Sequence, residues 1–277
     1  MNTTTPSQKN HAARYLKASG RLWFLVTITG QWIFFYYILM FYGSSVIEGN
    51  LEIWNRWEPL GSKPYKAGDT SHNVAFASHA LGAGIVAFGG ALQLIPWFRY
   101  KYPIFHRWNG RVYILTVISL ALSGFYLVWV KGASPSFIQE LSTSFNGMLI
   151  LTFAALAVHR ARRGEFQSHS QWALRLFLVS NAQWFLRVGV FCYMILATLM
   201  GFQPSLEDPF FIVWTFGCYL LPLALLQLYF LSTKKDSAYL KWFTGVSLTA
   251  LSVLMIIGII GLTPFLQKVI SGQALTF

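Results

Sequence analysis

Seven stretches of about 20 mostly apolar residues run through this chain, at roughly 22–43, 73–97, 110–130, 143–161, 172–200, 209–231 and 240–264. No other feature restricts the fold as much. A helix rising about 1.5 Å per residue needs that length to cross a hydrocarbon layer about 30 Å thick. Within lipid, only a helix or a closed barrel satisfies its own backbone. The runs are continuous rather than alternating, so the expected fold is all-α. It is a polytopic membrane helix bundle of about seven transmembrane helices around a four-helix core, helices 2–5.

Charge agrees with this reading. Asp, Glu, Lys and Arg make up 11% of the 277 residues, against about 25% in a soluble globular chain. The formal net charge of +12 would suit nucleic acid only if the basic residues shared one exposed face. They fall instead in short groups between the apolar runs, so no nucleic-acid partner is expected and membrane lipid is. Cys192 and Cys218 both lie inside apolar runs without paired spacing, which offers neither a disulfide framework nor a thiolate metal site.

Threaded through seven spans, the charges separate. Lys9, Arg14, Lys17, Arg21, Arg99, Lys101, Arg107, Arg111, Arg160, Arg162, Arg163, Arg175, Lys234, Lys235 and Lys241 fall on one side, and Arg56, Lys63, Lys66, Lys131 and Lys268 on the other. Cytoplasmic loops carry the excess of Lys and Arg, so the expected location is the inner membrane with a cytoplasmic N-terminus and an external C-terminus. The chain reads as a single transmembrane domain, 1–277. Residues 1–21 form a polar cytoplasmic tail, 44–71 an external loop and 72–200 the core. The loop carries Trp54 and Trp57, which suit either an ordered cap at the membrane interface or a loose connection. Pro96, Pro209 and Pro264 read as sharp helix boundaries, because proline there loses no interior hydrogen bond.

Ionisable residues within or beside such apolar runs are costly and therefore candidates for function. In the second span, Ala75, His79, Gly82, Val86, Gly89 and Gln93 follow steps of three and four and share a face. Small residues there admit either a neighbouring helix or a flat ligand. Arg187 lies fifteen residues beyond Trp172, about 22 Å along its helix, and His79 reaches a similar depth from the outer side. The two are candidates for one pocket, with Ser180, Gln183 and Arg187 forming a polar stripe. At the cytoplasmic end, His106 and His169 are the best pair to hold a metal or a single b-type haem. Arg107, Arg111 and Arg175 nearby suit an anion or a lipid headgroup. Gly164-Glu165 reads as a helix-turn feature, with Glu165 alternatively a partner for Arg107 or Arg111. No Walker loop, H-E-x-x-H or intramembrane acidic pair is present, so no ATPase, metalloprotease or carboxylate relay is indicated.

The pattern His79-x-x-Gly82, Gln93, His106-Arg107-x-x-Gly110-Arg111-x-Tyr113, then Gly164-Glu165-x-x-x-His169-x-x-Trp172-x-x-Arg175 with Arg187 beyond it, resembles a bacterial integral-membrane family known as domain of unknown function 2306. The likeness covers roughly residues 72–200. The chain departs from the family pattern at Ser170, beside His169, and at Ala173, after Trp172. The resemblance implies a membrane protein without an established activity, and in core architecture it is more distantly similar to transmembrane b-type cytochromes. The expected function is binding of a small ligand or cofactor by the core, sharpest as one haem b. Two alternatives stand beside it: a carrier or receptor that takes an anionic solute or lipid on Arg187, and a structural or assembly partner of a membrane complex.

Overall fold

Proline and glycine punctuate a chain that is helical nearly throughout. The computed structural model describes residues 6–60, 63–132, 134, 136–205 and 208–274. The first five residues of the tail and residues 61 and 62 of the loop therefore lie outside the described residues, and no strand occurs among those described. The helices are α1 (Pro6–Ile38), α2 (Ser44–Glu48), α3 (Thr70–Leu94), α4 (Pro96–Lys101), α5 (Pro103–Trp129), α6 (Phe137–Arg162), α7 (Phe166–Ser180), α8 (Ala182–Leu199), α9 (Pro209–Lys234) and α10 (Ala238–Ser271). A π turn, Leu39–Gly43, joins α1 to α2, and a 3-10 helix, Leu51–Leu60, follows. Seven helical stretches among the described residues are long and apolar enough to cross a membrane: Ser7–Glu48, Thr70–Leu94, Pro103–Trp129, Phe137–Arg162, Ala182–Leu199, Pro209–Lys234 and Ala238–Ser271. The all-helical, multi-pass expectation holds.

Two compact units divide the chain. One contains residues 1–30 and 185–262, the other residues 31–184 and 263–277.

In the first unit the polar tail is helix from Pro6 onward. Residues 7–19 carry no glycine or proline, and Ala, Lys, Arg and Leu favour helix. The tail also has partners: Lys9 pairs with Asp236 at 2.6 Å, Tyr15 stacks on Trp242 at 4.7 Å, and the Tyr15 hydroxyl lies 3.0 Å from Thr249 Oγ1. Glycines bring the long helices close together. Gly258 and Gly261 of α10 lie against Val188 and Ile195 of α8, and Gly189 of α8 lies under the Trp214 indole, which donates to the Leu186 carbonyl at 3.1 Å. Without hydrophobic drive between helices in lipid, this close approach is what produces packing.

In the second unit α3 packs on α5, α5 on α6 and α6 on α7. The 44–60 segment is ordered: Trp54 is fully buried and donates to Ser45 Oγ at 2.6 Å, while Trp57 donates to the Tyr37 hydroxyl at 2.9 Å. Asp69 caps α3 by accepting from the His72 N–H at 3.0 Å, and both its carboxylate oxygens take Lys131 Nζ at 2.9 Å. The Lys131 ammonium holds the Asp69 carboxyl well below the usual carboxylate range, and Asp69 in turn raises the lysine. Stability from a depressed carboxyl is present above its unfolded value and lost only as pH falls through the folded one. For the raised lysine the loss comes as pH rises through its folded value, so the latch stays ionised across the neutral range.

Two helix ends differ from the sequence expectation. Pro264 does not stop the last helix, which runs on to Ser271 with the proline inside it. Its final carbonyls are held by Arg56, whose Nη1 donates to Val269 at 2.9 Å and Ile270 at 2.7 Å. The fifth span is broken at Asn181 into α7 and α8. Side chains take up the loosened carbonyls: Asn181 and Ser180 donate to Phe177 at 2.8 and 3.2 Å, and Asn146 of α6 donates to Val179 at 3.1 Å. At the turn between α6 and α7, Gly164 adopts a left-handed φ of 72° and brings Glu165, the cap of α7, back beside the end of α6. Glu165 pairs with Arg160 and, at 3.8 Å, with Arg163. This is the helix-turn role, and Arg107 and Arg111, the alternative partners, form no ion pair with Glu165. Pro96 and Pro209 do open helices, α4 and α9.

Candidate functional site

The small-residue face of α3 is occupied along its length by α5. His79 Nδ1 lies 3.1 Å from Ser123 Oγ. One turn further, a Cβ on Gly82 would meet Leu120 at 3.1 Å and Thr116 at 3.3 Å. A Cβ on Gly89 would reach Asn109 Oδ1 at 3.0 Å, and Asn109 donates to the Gly89 carbonyl at 2.9 Å. At the end of the seam Gln93 Nε2 donates to the His106 carbonyl at 2.9 Å, with Gly110 leaving room for it. Of the two roles the sequence allows this face, the geometry displays helix packing. Arg187 lies half-buried in α8, in the unit that does not contain His79. The stripe expected from Ser180 through Gln183 to Arg187 is interrupted by the Asn181 break. Ser180 turns to the Tyr113 hydroxyl at 2.7 Å, and Gln183 is exposed.

Beyond the end of the α3–α5 seam stand two histidines, His106 in the first turns of α5 and His169 in the first turn of α7. His169 Nδ1 lies 2.9 Å from the Ala157 carbonyl of α6. A carbonyl can only accept, so this nitrogen carries a proton, and in the neutral ring Nε2 is then the nitrogen with the lone pair. His106, half-buried in α5, leaves its Nδ1 buried without a hydrogen-bond partner. His169 and Arg99 both lie close enough to act on His106 electrostatically. Six residues on from His169, Arg175 stacks its guanidinium on Trp172 at 4.7 Å and donates to the Gln171 carbonyl at 3.1 Å. Arg111 stacks on Trp108 at 4.6 Å, and both Arg107 and Arg111 are exposed.

Some participants were not legible as functional in the sequence. Asn109 and Ala157 act only through contacts across helices, which spacing along one helix does not reveal. His72 is visible in sequence, but its burial to 2% exposure is not. Among the described residues no three His, Cys, Asp or Glu side chains converge on one point, so a bare metal ion lacks a protein cage there.

No curated protein and no solved structure matches the chain. A family model described as predicted membrane protein, domain of unknown function 2306, matches residues 76–230. The match runs from α3 through α9 and so reaches one span beyond the stretch marked by the histidine and arginine motifs. The chain belongs to this family of predicted membrane proteins.

Proposed function

We propose that this integral membrane protein holds a small ligand or cofactor where His106 and His169 approach each other, and that the cofactor is one b-type haem. The supporting observation is the state of the two rings. His169 is oriented by a backbone carbonyl that leaves Nε2 free, and His106 lies near it with a buried nitrogen unmatched by protein. Orientation of a ligating imidazole through its other nitrogen is the usual support of a metal-binding histidine. Two imidazoles without a third protein ligand suit haem iron, whose other four positions belong to the porphyrin, better than a free ion. Arg99, whose charge reaches His106, would supply charge complementary to the propionates. Bound there, haem would supply one-electron transfer.

Protein purified in mild detergent from haem-replete cells is expected to show a Soret band that shifts on dithionite reduction. The band should be lost in His106→Ala and in His169→Ala. A colourless wild-type preparation would reject the proposal.

The same reading places the protein in the inner membrane with this histidine pair on the cytoplasmic side. It rests on the excess of Lys and Arg in the connections on that side. A reporter active only in the cytoplasm is expected to be silent when fused after Phe277 and active when fused before Met1. A strong C-terminal signal would overturn this orientation.

A further inference from the structure

α4 connects two consecutive spans, α3 and α5, and so lies at a membrane boundary. Extended backbone at Ile95, with a ψ of 115°, and a break at Tyr102, with a φ of −130° and a ψ of 69°, separate it from both neighbours. Residues 70–139 contain no Asp or Glu, whereas Arg99, Lys101, Arg107 and Arg111 fall close together and are all exposed. Among the described residues no carboxylate pairs with any of the four. Three of them lean on rings instead. Lys101 Nζ lies 5.0 Å over Trp97 and 5.8 Å over Tyr102, Arg99 lies 5.0 Å over Tyr100, and Arg111 lies 4.6 Å over Trp108. Trp97 and Tyr102 meet at 5.3 Å, so the lysine rests on two rings in contact.

The depth of these cations follows from α5. Residues seven apart return to nearly the same side of a helix, and Trp108, Leu115, Leu122 and Trp129 are exposed by 61, 69, 56 and 53%. They form an apolar stripe open along the whole of α5. At about 1.5 Å per residue its two tryptophans stand about 32 Å apart, close to the hydrocarbon thickness of about 30 Å. Tryptophan concentrates at the two edges of a bilayer, so Trp108 marks one edge and Trp129 the other. Arg107 and Lys101 then stand at the depth of lipid phosphates. Arg111 begins one turn deeper, but its guanidinium is carried back over the Trp108 ring to the same edge.

We propose that Lys101, Arg107 and Arg111, with the rings of Trp97, Tyr102 and Trp108, form a binding surface for the headgroup of an anionic phospholipid, whose acyl chains lie along the exposed stripe of α5. A cation resting on a ring face keeps N–H groups free at its edge, and these suit phosphate oxygens. No protein carboxylate competes for them. An acidic segment of another protein would also meet positive charge here, but it would leave unused an apolar stripe as long as the bilayer is thick. The surface is independent of the haem reading: Arg99, which that reading uses, is left out of it, and a colourless preparation would not alter the lipid result.

The test is native mass spectrometry of the full-length protein released from mild-detergent micelles that contain equal amounts of dioleoylphosphatidylglycerol and dioleoylphosphatidylcholine. The two lipids share their chains and differ in headgroup charge. The expected result is phosphatidylglycerol bound in about tenfold preference. In Lys101→Gln/Arg107→Gln/Arg111→Gln the preference should fall to within about twofold of parity. It should persist in Lys17→Gln/Lys234→Gln/Lys235→Gln, which removes the same charge from exposed positions elsewhere. Excess inorganic phosphate should leave the lipid bound. Wild-type protein without a preference would overturn the proposal in favour of an acidic segment of a partner protein. It also fails if the first variant keeps the preference or the second loses it equally, because attraction would then be spread over the whole basic surface. Displacement of the lipid by phosphate would make this a site for a free anion and reject the lipid. Should the first variant not fold, Arg107→Gln/Arg111→Gln, which leaves Lys101 and the α4 rings untouched, decides: most of the preference should go, and its retention rejects the proposal.

Discussion

Gly258→Ala is expected to be among the most destabilising single-methyl additions in the chain. A Cβ at this buried position of α10 would run into the backbone carbonyl of Val188 in α8, with the Val188 Cγ1 at 2.8 Å behind it. A side chain can rotate away from a new methyl group, but a carbonyl inside a helix cannot. It is held by its own helical hydrogen bond, so the two helices must separate along the seam they share. Overpacking of this kind typically costs about 1–3 kcal/mol, and a backbone obstacle puts this case near or above the top of that range. The corresponding fall in melting temperature is about 10 °C, read by circular dichroism in mild detergent. Gly43→Ala is the control. Its Cβ would find Leu39 at 3.5 Å, an ordinary contact, and the variant should melt within about 2 °C of wild type. Equal behaviour of the two variants would show that α8 and α10 do not meet through this glycine.

Arg56→Met should cost about 2 kcal/mol, a smaller effect with a different cause. Gly272, at a φ of 72°, ends α10 in a left-handed turn. Its N–H bonds the Val269 carbonyl at 3.4 Å, and the Gln273 N–H bonds Lys268 at 3.1 Å. That arrangement closes two of the last carbonyls and leaves Ile270 open. Arg56 closes it and gives Val269 a second, charge-assisted bond, while its guanidinium lies 5.9 Å over the Phe41 ring. Methionine keeps most of the apolar stem and removes only the fork, so the loss reports on the hydrogen bonds rather than on packing. Arg56→Lys should recover less than half of the difference, since one ammonium does not match two carbonyls as the planar fork does. The local signature is faster amide hydrogen exchange confined to the last turns of α10. Uniform acceleration along the chain would point to a general loss of stability instead.

Helix type and number follow from partition into lipid, a property that each apolar run carries by itself. For that reason the seven spans are legible without any knowledge of neighbours, and so is a proline at a helix start such as Pro96 or Pro209. The candidate site is only partly legible. His106 and His169 stand out as residue types at the ends of apolar runs, yet what orients the His169 ring is the Ala157 carbonyl, which comes from another helix, α6. Small residues spaced by three and four on α3 announce a close approach. Spacing does not say whether a ligand or a helix makes it, and here α5 does, from Ser123 to His106.

The sequence by itself determined an all-helical membrane chain with a basic imbalance across its connections and its histidines near the ends of spans, because burial of apolar length and the placement of charge are local quantities. Tertiary structure decided which helix ends hold. Pro264 lies inside α10, where Arg56, more than two hundred residues earlier, closes the carbonyls beyond it. Asn181 breaks the fifth span where side chains from α6 and α7 take up the loosened carbonyls. It also decided which polar groups are satisfied: His79 finds Ser123, while His72 finds nothing in the protein. A hydrogen bond depends on a partner whose position in the chain is unrelated to the donor's, so no local pattern encodes it.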